Sequence, residues 1–198
     1  MEKIFLTDVD GVLVNFSLTF EKWILSLGLK TATPTLITPA KYFKIEDWVI
    51  DESITDHAKL VQDFFESDFS HHFIQWEDSR VIDKLSKRGW KFVAITAIGT
   101  SEKGRLNRQI CLDNLFGRYT FSDVIVTEPF DSKLDVLKSF APTFWVDDSP
   151  HHVDDGIEAG HLSFHMHRKG DVRQCHHTDA IIVNDWHGVI DYMDNNNS

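Results

Sequence analysis

Cysteine is scarce in this 198-residue chain: only Cys111 and Cys175 occur, far apart. That excludes a disulfide framework and the paired-Cys spacing of a structural zinc site. Long apolar runs are missing as well, and none reaches the about 18 residues that a membrane-crossing helix needs. The opening residues Met1-Glu2-Lys3-Ile4-Phe5 lack the charged and apolar regions of a signal peptide. Positive charge is in deficit, with 20 Lys and Arg against 31 Asp and Glu and a net charge of −11. A surface that tracks a phosphate backbone needs clustered Lys and Arg, so general nucleic-acid binding is not expected. The expectation is a soluble protein in a reducing, cytoplasmic setting, with no membrane partner.

What the chain does have is apolar content, 42% of residues, enough for one domain or one core with a modest insertion. Strand-like runs recur at Lys3–Thr7, Trp90–Ile95, Phe121–Val126, Thr143–Val146, Leu162–Met166 and Ala180–Val183. Helical stretches separate them at Asp78–Arg88, Glu102–Leu115, from Ser132 onward, and at Pro150–Ala159. Such alternation predicts an α/β fold: a Rossmann-like parallel sheet sandwiched by helices. Residues 15–77 read differently, with an aromatic-rich helix at Phe16–Leu27, a Thr/Pro-rich loop at Thr31–Pro39 and a second helix at Asp56–Phe69. This interval is expected to be a small helical cap inserted after the first strand, leaving residues 1–14 and 78–198 as the core. The polar tail Asp194–Ser198 is expected to fray.

The most informative run is Lys3-Ile4-Phe5-Leu6-Thr7-Asp8-Val9-Asp10-Gly11-Val12-Leu13. An apolar strand delivers two carboxylates to its C-terminal end, and positions i and i+2 of an extended chain share a face. Gly11 permits a sharp turn and leaves backbone amides open. An ordinary strand-end turn would also use Asp and Gly. A calcium loop would need a further Asp or Asn before the Gly and a later Glu, and Val12-Leu13-Val14 supply neither.

Ligands of open α/β sheets bind beyond the carboxyl ends of the strands. The polar residues at those positions are Asp8 and Asp10 after the first strand, then Thr96 with Gly99-Thr100-Ser101 after the second. Lys133 opens the helix after the third, and Asp147-Asp148-Ser149-Pro150 follow the fourth. Together they resemble the haloacid dehalogenase superfamily of aspartate-based phosphohydrolases. Its four motifs match Asp8-Val9-Asp10-Gly11-Val12, Ile95-Thr96, Lys133 and Val146-Asp147-Asp148-Ser149.

The resemblance implies roles. Asp8 would attack phosphorus to form an aspartyl-phosphate, and Asp10 would protonate the leaving oxygen and then activate water. Thr96 would hydrogen-bond a phosphoryl oxygen, with Gly11 and Ala97 beside it, and Lys133 would offset charge on the nucleophile and the phosphate. Mg²⁺ would be held by the Asp8 carboxylate, the Asp10 backbone carbonyl and Asp148, with Asp147 orienting Lys133 or a metal-bound water. A dehalogenase of the same superfamily would lack the second Asp. The first motif and early cap look most like the small 5′(3′)-deoxyribonucleotidase branch, which implies a nucleoside monophosphate as the small phosphorylated substrate.

In that branch aromatic cap residues stack on the base, and Phe16 and Trp48 are the counterparts expected here. Most cap aromatics, among them Phe20, Trp23, Tyr42, Phe43, Phe64, Phe65 and Trp76, are expected to be packing. Arg105 and Lys103 are candidate phosphate contacts or a solvated helix face. His161, His165, His167, His176 and His177 lack compact zinc spacing and default to surface or packing roles. The alternatives are a phosphatase for another small metabolite, a nucleic-acid 3′-phosphatase, and a catalytically idle binding protein of the same fold.

Overall fold

Phe5 and Leu6 are both fully buried, yet adjacent strand positions point to opposite faces, so the first strand must have helices on both sides. The computed structural model, which describes residues 3–32, 45–168, 171 and 173–196, has this arrangement. Six parallel strands, β1 (Lys3–Thr7), β2 (Trp90–Thr96), β3 (Phe121–Val126), β4 (Phe144–Asp147), β5 (Leu162–Met166) and β6 (Ile181–Val183), form one sheet. Their order is β3-β2-β1-β4-β5-β6. The fold is a Rossmann-type α/β sandwich.

Seven α-helices are described: α1 (Phe16–Ser26), α2 (His57–Glu66), α3 (Ile82–Lys87), α4 (Glu102–Phe116), α5 (Leu134–Lys138), α6 (Pro150–Glu158) and α7 (Trp186–Asn196). Local chemistry sets several of their starts. Asn15 and Asp56 accept hydrogen bonds from Leu18 N and Lys59 N, and Pro150 opens α6 where its missing N–H costs nothing. On one face of the sheet the Phe5 ring lies 5.3–5.9 Å from Trp90, Phe92, Phe144 and Trp186, the last carried by α7. On the other face Leu6, Val93, Ile95 and Trp145 pack with Leu137 of α5. Burying each Phe in such a cluster stabilises the fold by about 1.5–3 kcal/mol.

Three sequence expectations need correction. The tail does not fray at Asp194: α7 runs to Asn196, and Arg88 Nη1 meets Asp194 Oδ1 at 2.8 Å. The stretch Asp78–Arg88 is not one helix, because Glu77–Val81 is a 3₁₀ segment and α3 begins at Ile82. Similarly, α2 ends at Glu66, where Ser67 turns extended (ψ 152°), and a 3₁₀ segment Asp68–His72 follows.

Between β1 and β2 the chain leaves and returns along a short antiparallel ribbon. Asn15 N donates to Ile74 O at 2.8 Å and Trp76 N to Leu13 O at 3.0 Å. The aromatics of this excursion, including Phe20, Trp23, Phe64, Phe65 and Phe73, belong to the same continuous apolar cluster as Phe5 and Phe92 of the sheet. Tyr42, Phe43 and the Thr/Pro-rich loop beyond Ala32 lie outside the described residues.

Candidate active site

The strand order reverses direction at β1, which lies between β2 and β4, and a crevice opens there at the carboxyl edge. Asp8 N extends the ladder by donating to Val146 O at 2.8 Å, which places Asp8 beside Asp147, the last residue of β4. Gly11 then turns with φ +80°, and a Cβ there would lie 2.6 Å from Asp148 Oδ2. No side chain larger than hydrogen fits between the first-strand loop and Asp148.

Lys133 is the centre of the charge arrangement. It is fully buried at the start of α5, and its Nζ donates to Asp8 Oδ1 and Asp147 Oδ2, both at 2.8 Å. Asp155 fixes its backbone, accepting from Lys133 N at 2.8 Å and from Ser132 Oγ at 2.9 Å. His152 Nδ1 approaches the same Asp147 oxygen, Oδ2, at 3.3 Å. Burial would push Asp147 up, but Lys133 and His152 hold it well below the ordinary carboxylate range. Burial works the opposite way on Lys133, and Asp147 and Asp8 outweigh it, so the ammonium is held above its usual value.

One ammonium does not neutralise the remaining acids. Burial, reinforced by Asp147 and Asp10, raises Asp8 to about 7 despite Lys133. Burial, with Asp147 and Asp8, raises Asp148 to about 8, and Arg173 at 3.4 Å offsets this only in part. Carboxylate oxygens of Asp8, Asp147 and Asp148 all come within 4.8 Å of one another. A compact set of hard oxygen donors with unbalanced negative charge fits a divalent cation of the Mg²⁺ type.

Asp10 is only partly buried and faces a different partner. Its Oδ2 accepts from Arg108 Nη2 at 2.6 Å, while Oδ1 is buried with no hydrogen-bond partner. Burial raises its carboxyl and Arg108 opposes the rise. Thr96, at the end of β2, is fully buried beside Asp10, its Oγ1 making no well-formed hydrogen bond among the described residues. A cleft of about 1930 Å³ is lined by Asp8, Asp10, Gly11, Thr96, Ala97, Lys133, Asp147 and Asp148, so the residues expected from sequence at the core's edge are brought together.

The expected cap contacts divide. Phe16 lines the cleft, stacking on Phe20 and Phe65 at 5.3 and 5.7 Å. Trp48 does not line it: the ring is 2% exposed and packs edge-on to Phe20 at 5.5 Å. An aromatic that does face the opening is Phe130, 82% exposed in a left-handed backbone (φ 70°) three residues before Lys133. Arg105 pairs with Glu102 on the helix surface, and Lys103 is exposed. In the Gly99-Thr100-Ser101 loop the first two amides are already taken, Gly99 N by Thr127 O and Thr100 N by Glu128 Oε1.

Histidine roles are mostly structural. His161 bonds Thr143 N and Leu137 O, and His165 bonds the Asp148 carbonyl at 3.2 Å. His151, His152 and Asp155 also cluster, but His152 and Asp155 are committed to Asp147 and to the Lys133 turn. Both cysteines are pushed up by burial, Cys111 to about 11 and Cys175 to about 12, which suits neither to nucleophilic work.

Sequence reasoning missed three arginines. Arg168 Nε and Nη2 donate to the Gly11 and Val12 carbonyls at 3.0 and 2.7 Å, and Nη1 grips both oxygens of Asp78. This braces the turn after Asp10. Arg173 Nη2 donates to the Asp148 carbonyl at 2.9 Å and is itself paired with Asp171. Arg168 stands two residues beyond β5 and was open to the same strand-end argument, whereas Arg173 lies farther along and carries no local signal. Arg108 does carry one: it shares a helix face with Gly104, Cys111 and Leu112, and a charge on a buried face demands a buried partner.

No protein-family profile matches the chain. An uncharacterized 32.4 kDa protein of Enterobacteria phage T4 is 29% identical over 169 residues, covering 80% of this chain. The matched region is 58% of that protein's length, so the chain spans little more than half of its relative. Among solved structures, a haloacid dehalogenase-like hydrolase from Streptococcus pneumoniae has a TM-score of 0.61 at 12% identity, covering 96% of this chain and 98% of that one. The heptose 1,7-bisphosphate phosphatase of B. bronchiseptica, solved with magnesium and phosphate, has a TM-score of 0.54 at 11% identity, covering 98% of both. Other neighbours include dehalogenases and a predicted phosphatase from Clostridium acetobutylicum.

Proposed function

We propose that the chain is a Mg²⁺-dependent phosphomonoester hydrolase that acts through an aspartyl-phosphate on a small substrate, a nucleoside monophosphate by preference. The observation that carries this reading is the contact of Lys133 Nζ with both Asp8 and Asp147, which holds two carboxylates of a crowded trio at the cleft floor. Asp8 Oδ1 is engaged by Lys133, and Oδ2 accepts no hydrogen bond among the described residues. That leaves one oxygen to attack phosphorus. Thr96 Oγ1, buried and without a well-formed hydrogen bond among the described residues, is placed to donate to a phosphoryl oxygen, and Lys133 offsets the charge that gathers on Asp8.

Asp10 gives the leaving oxygen its proton and then takes one from the water that hydrolyses the acyl-phosphate. Its presence favours the phosphatase over the dehalogenase reading, since an acid/base at that position serves the hydrolysis of a phosphoester. Asp8, Asp148 and the Asp10 backbone carbonyl would hold Mg²⁺, which when bound neutralises charge on the phosphate and the acids. The nucleotide preference is supported by Phe16 on the cleft wall and by Phe130 at its mouth, two apolar faces suited to a base. The residue 15–77 segment acts as the cap that supplies one of them.

The test is phosphate release from a panel of nucleoside monophosphates and sugar phosphates, with Mg²⁺ and with chelator. Release requiring Mg²⁺, with the higher kcat/KM on nucleotides, is expected. A folded protein that releases phosphate from none of them loses the hydrolase reading. Equal kcat/KM across the panel removes the nucleotide preference alone.

A further inference from the structure

Arg108 is 1% exposed, and only one of its three guanidinium nitrogens, Nη2, has a hydrogen-bond acceptor. Among the described residues Nε and Nη1 are buried with no oxygen acceptor, the Cys111 thiol being the one weak polar neighbour of the head besides Asp10. The planar head lies over Phe73 at 4.4 Å and near the Phe65 ring at 5.3 Å, so π faces replace the missing acceptors. Burying a guanidinium with two unmade hydrogen bonds is unfavourable, and apolar residues often replace buried ion pairs without loss of stability. Stability therefore does not account for this arginine. Its one strong contact is a 2.6 Å bond to Asp10 Oδ2.

The surroundings hold Arg108 still. The preceding residue, Asn107, donates to the carbonyls of Phe65 and Ser67 and bonds His71, which ties α4 to the excursion between β1 and β2. Asp10 lines the cleft, whereas Arg108 does not, so Arg108 stands behind the carboxylate rather than beside a substrate. A guanidinium never gives up its proton under ordinary conditions, so Oδ2 is permanently an acceptor. Oδ1 meets no cation among the described residues, and the Thr96 hydroxyl acts on this carboxyl only weakly, so Oδ1 is left as the oxygen able to carry a proton.

We propose that Arg108 is the positioning residue for Asp10: it fixes the carboxylate plane from behind and reserves Oδ1 for proton transfer to the leaving oxygen. The proposal rests on the hydrolase reading above. In the step concerned, Asp8 forms a bond to phosphorus, the bond from phosphorus to the leaving oxygen breaks, and the Oδ1 proton passes to that oxygen. An alkoxide is too basic to leave without that proton, whereas 4-nitrophenolate leaves as the anion. The value of kcat/KM isolates this first step from the later hydrolysis of the acyl-phosphate.

The experiment compares kcat/KM for an alkyl ester, ribose 5-phosphate, and for 4-nitrophenyl phosphate in wild type, Arg108→Met and Arg108→Lys. With Arg108→Met the alkyl value is expected to fall by about 30-fold or more, within the range of a lost general acid, and the nitrophenyl value by less than about threefold. Arg108→Lys, which keeps a charged donor, should recover most of the alkyl loss. Equal falls on both esters, or no fall on either, overturn the proposal, since a scaffold role does not distinguish leaving groups. Should Arg108→Met not fold, Arg108→Gln carries the same comparison and the same ratio decides. A wild-type protein that hydrolyses neither ester overturns the hydrolase reading itself, a separate outcome.

Discussion

A single ammonium among buried acids sets what can be changed at the candidate site. Asp8 is raised to about 7 chiefly by burial, so its ionised form is disfavoured until a cation arrives. Asp8→Asn keeps the shape, removes one charge from the trio and removes the attacking oxygen. Turnover is expected to fall by about 10³-fold or more, while the metal-free variant melts no lower than wild type at pH 8. Activity within a few-fold of wild type, measured as phosphate release, would reject the covalent route. Asp8, Asp10, Thr96 and the Asp147-Asp148 pair were legible because they lie at or just past the carboxyl ends of strands, and Lys133 because it starts the helix after one, where parallel sheets gather ligands. Arg168, just beyond β5, was open to the same reasoning, although its contacts with the Gly11 and Val12 carbonyls leave no pattern in sequence. Arg173 was not, since it reaches the site through the backbone carbonyl of Asp148 from farther along the chain. Trp48 was misplaced because composition cannot tell a wall aromatic from a packed one.

At the level of elements, the strands were easiest to read: fully buried parallel strands are short apolar runs, and β1, β3 and β5 begin and end where the runs do. Helix ends were harder, since apolar periodicity does not separate a 3₁₀ segment such as Glu77–Val81 from the first turn of α3. The helix α7 carried a usable spacing in Trp186, Val189 and Met193, all buried, but its polar surroundings resemble a tail. One contact between elements is unusually close. A Cβ on Gly156 of α6 would meet Trp145 Cδ1 of β4 at 2.3 Å and Ser163 Oγ of β5 at 2.5 Å. Gly156→Ala must push α6 off the sheet and is expected to cost about 1–3 kcal/mol. Chemical denaturation with an unchanged midpoint would contradict that packing.

The whole molecule combines a net charge of −11 with buried acids whose protons are retained on folding. Asp8 rises from 3.8 to about 7 and Asp148 from 3.8 to about 8. The native state then binds more protons than the unfolded one, so stability is full below about pH 4 for these groups and declines as pH rises through 7 to 8. His152, also raised, adds a loss of the same sign above its unfolded value. In chelator the melting temperature is expected to drop by on the order of 5 °C between pH 6 and pH 8.5. Millimolar Mg²⁺ should remove most of that drop, because the cation binds the ionised carboxylates. A metal-free protein that becomes more stable over the same interval would contradict the sign.

The ribbon joining Leu13–Asn15 to Ile74–Trp76 bears on how such a protein diversifies. The outgoing and returning chains are already hydrogen-bonded to each other at 2.8 and 3.0 Å before the excursion begins. The sheet therefore senses the width of that stem and not the length of what hangs from it. Insertions or deletions in the intervening residues that spare Phe64, Phe65 and Phe73, which pack into the sheet's own apolar cluster, leave the register of β1 unaltered. Selection for a new substrate can proceed in one stretch of sequence while the chemistry is inherited intact in another.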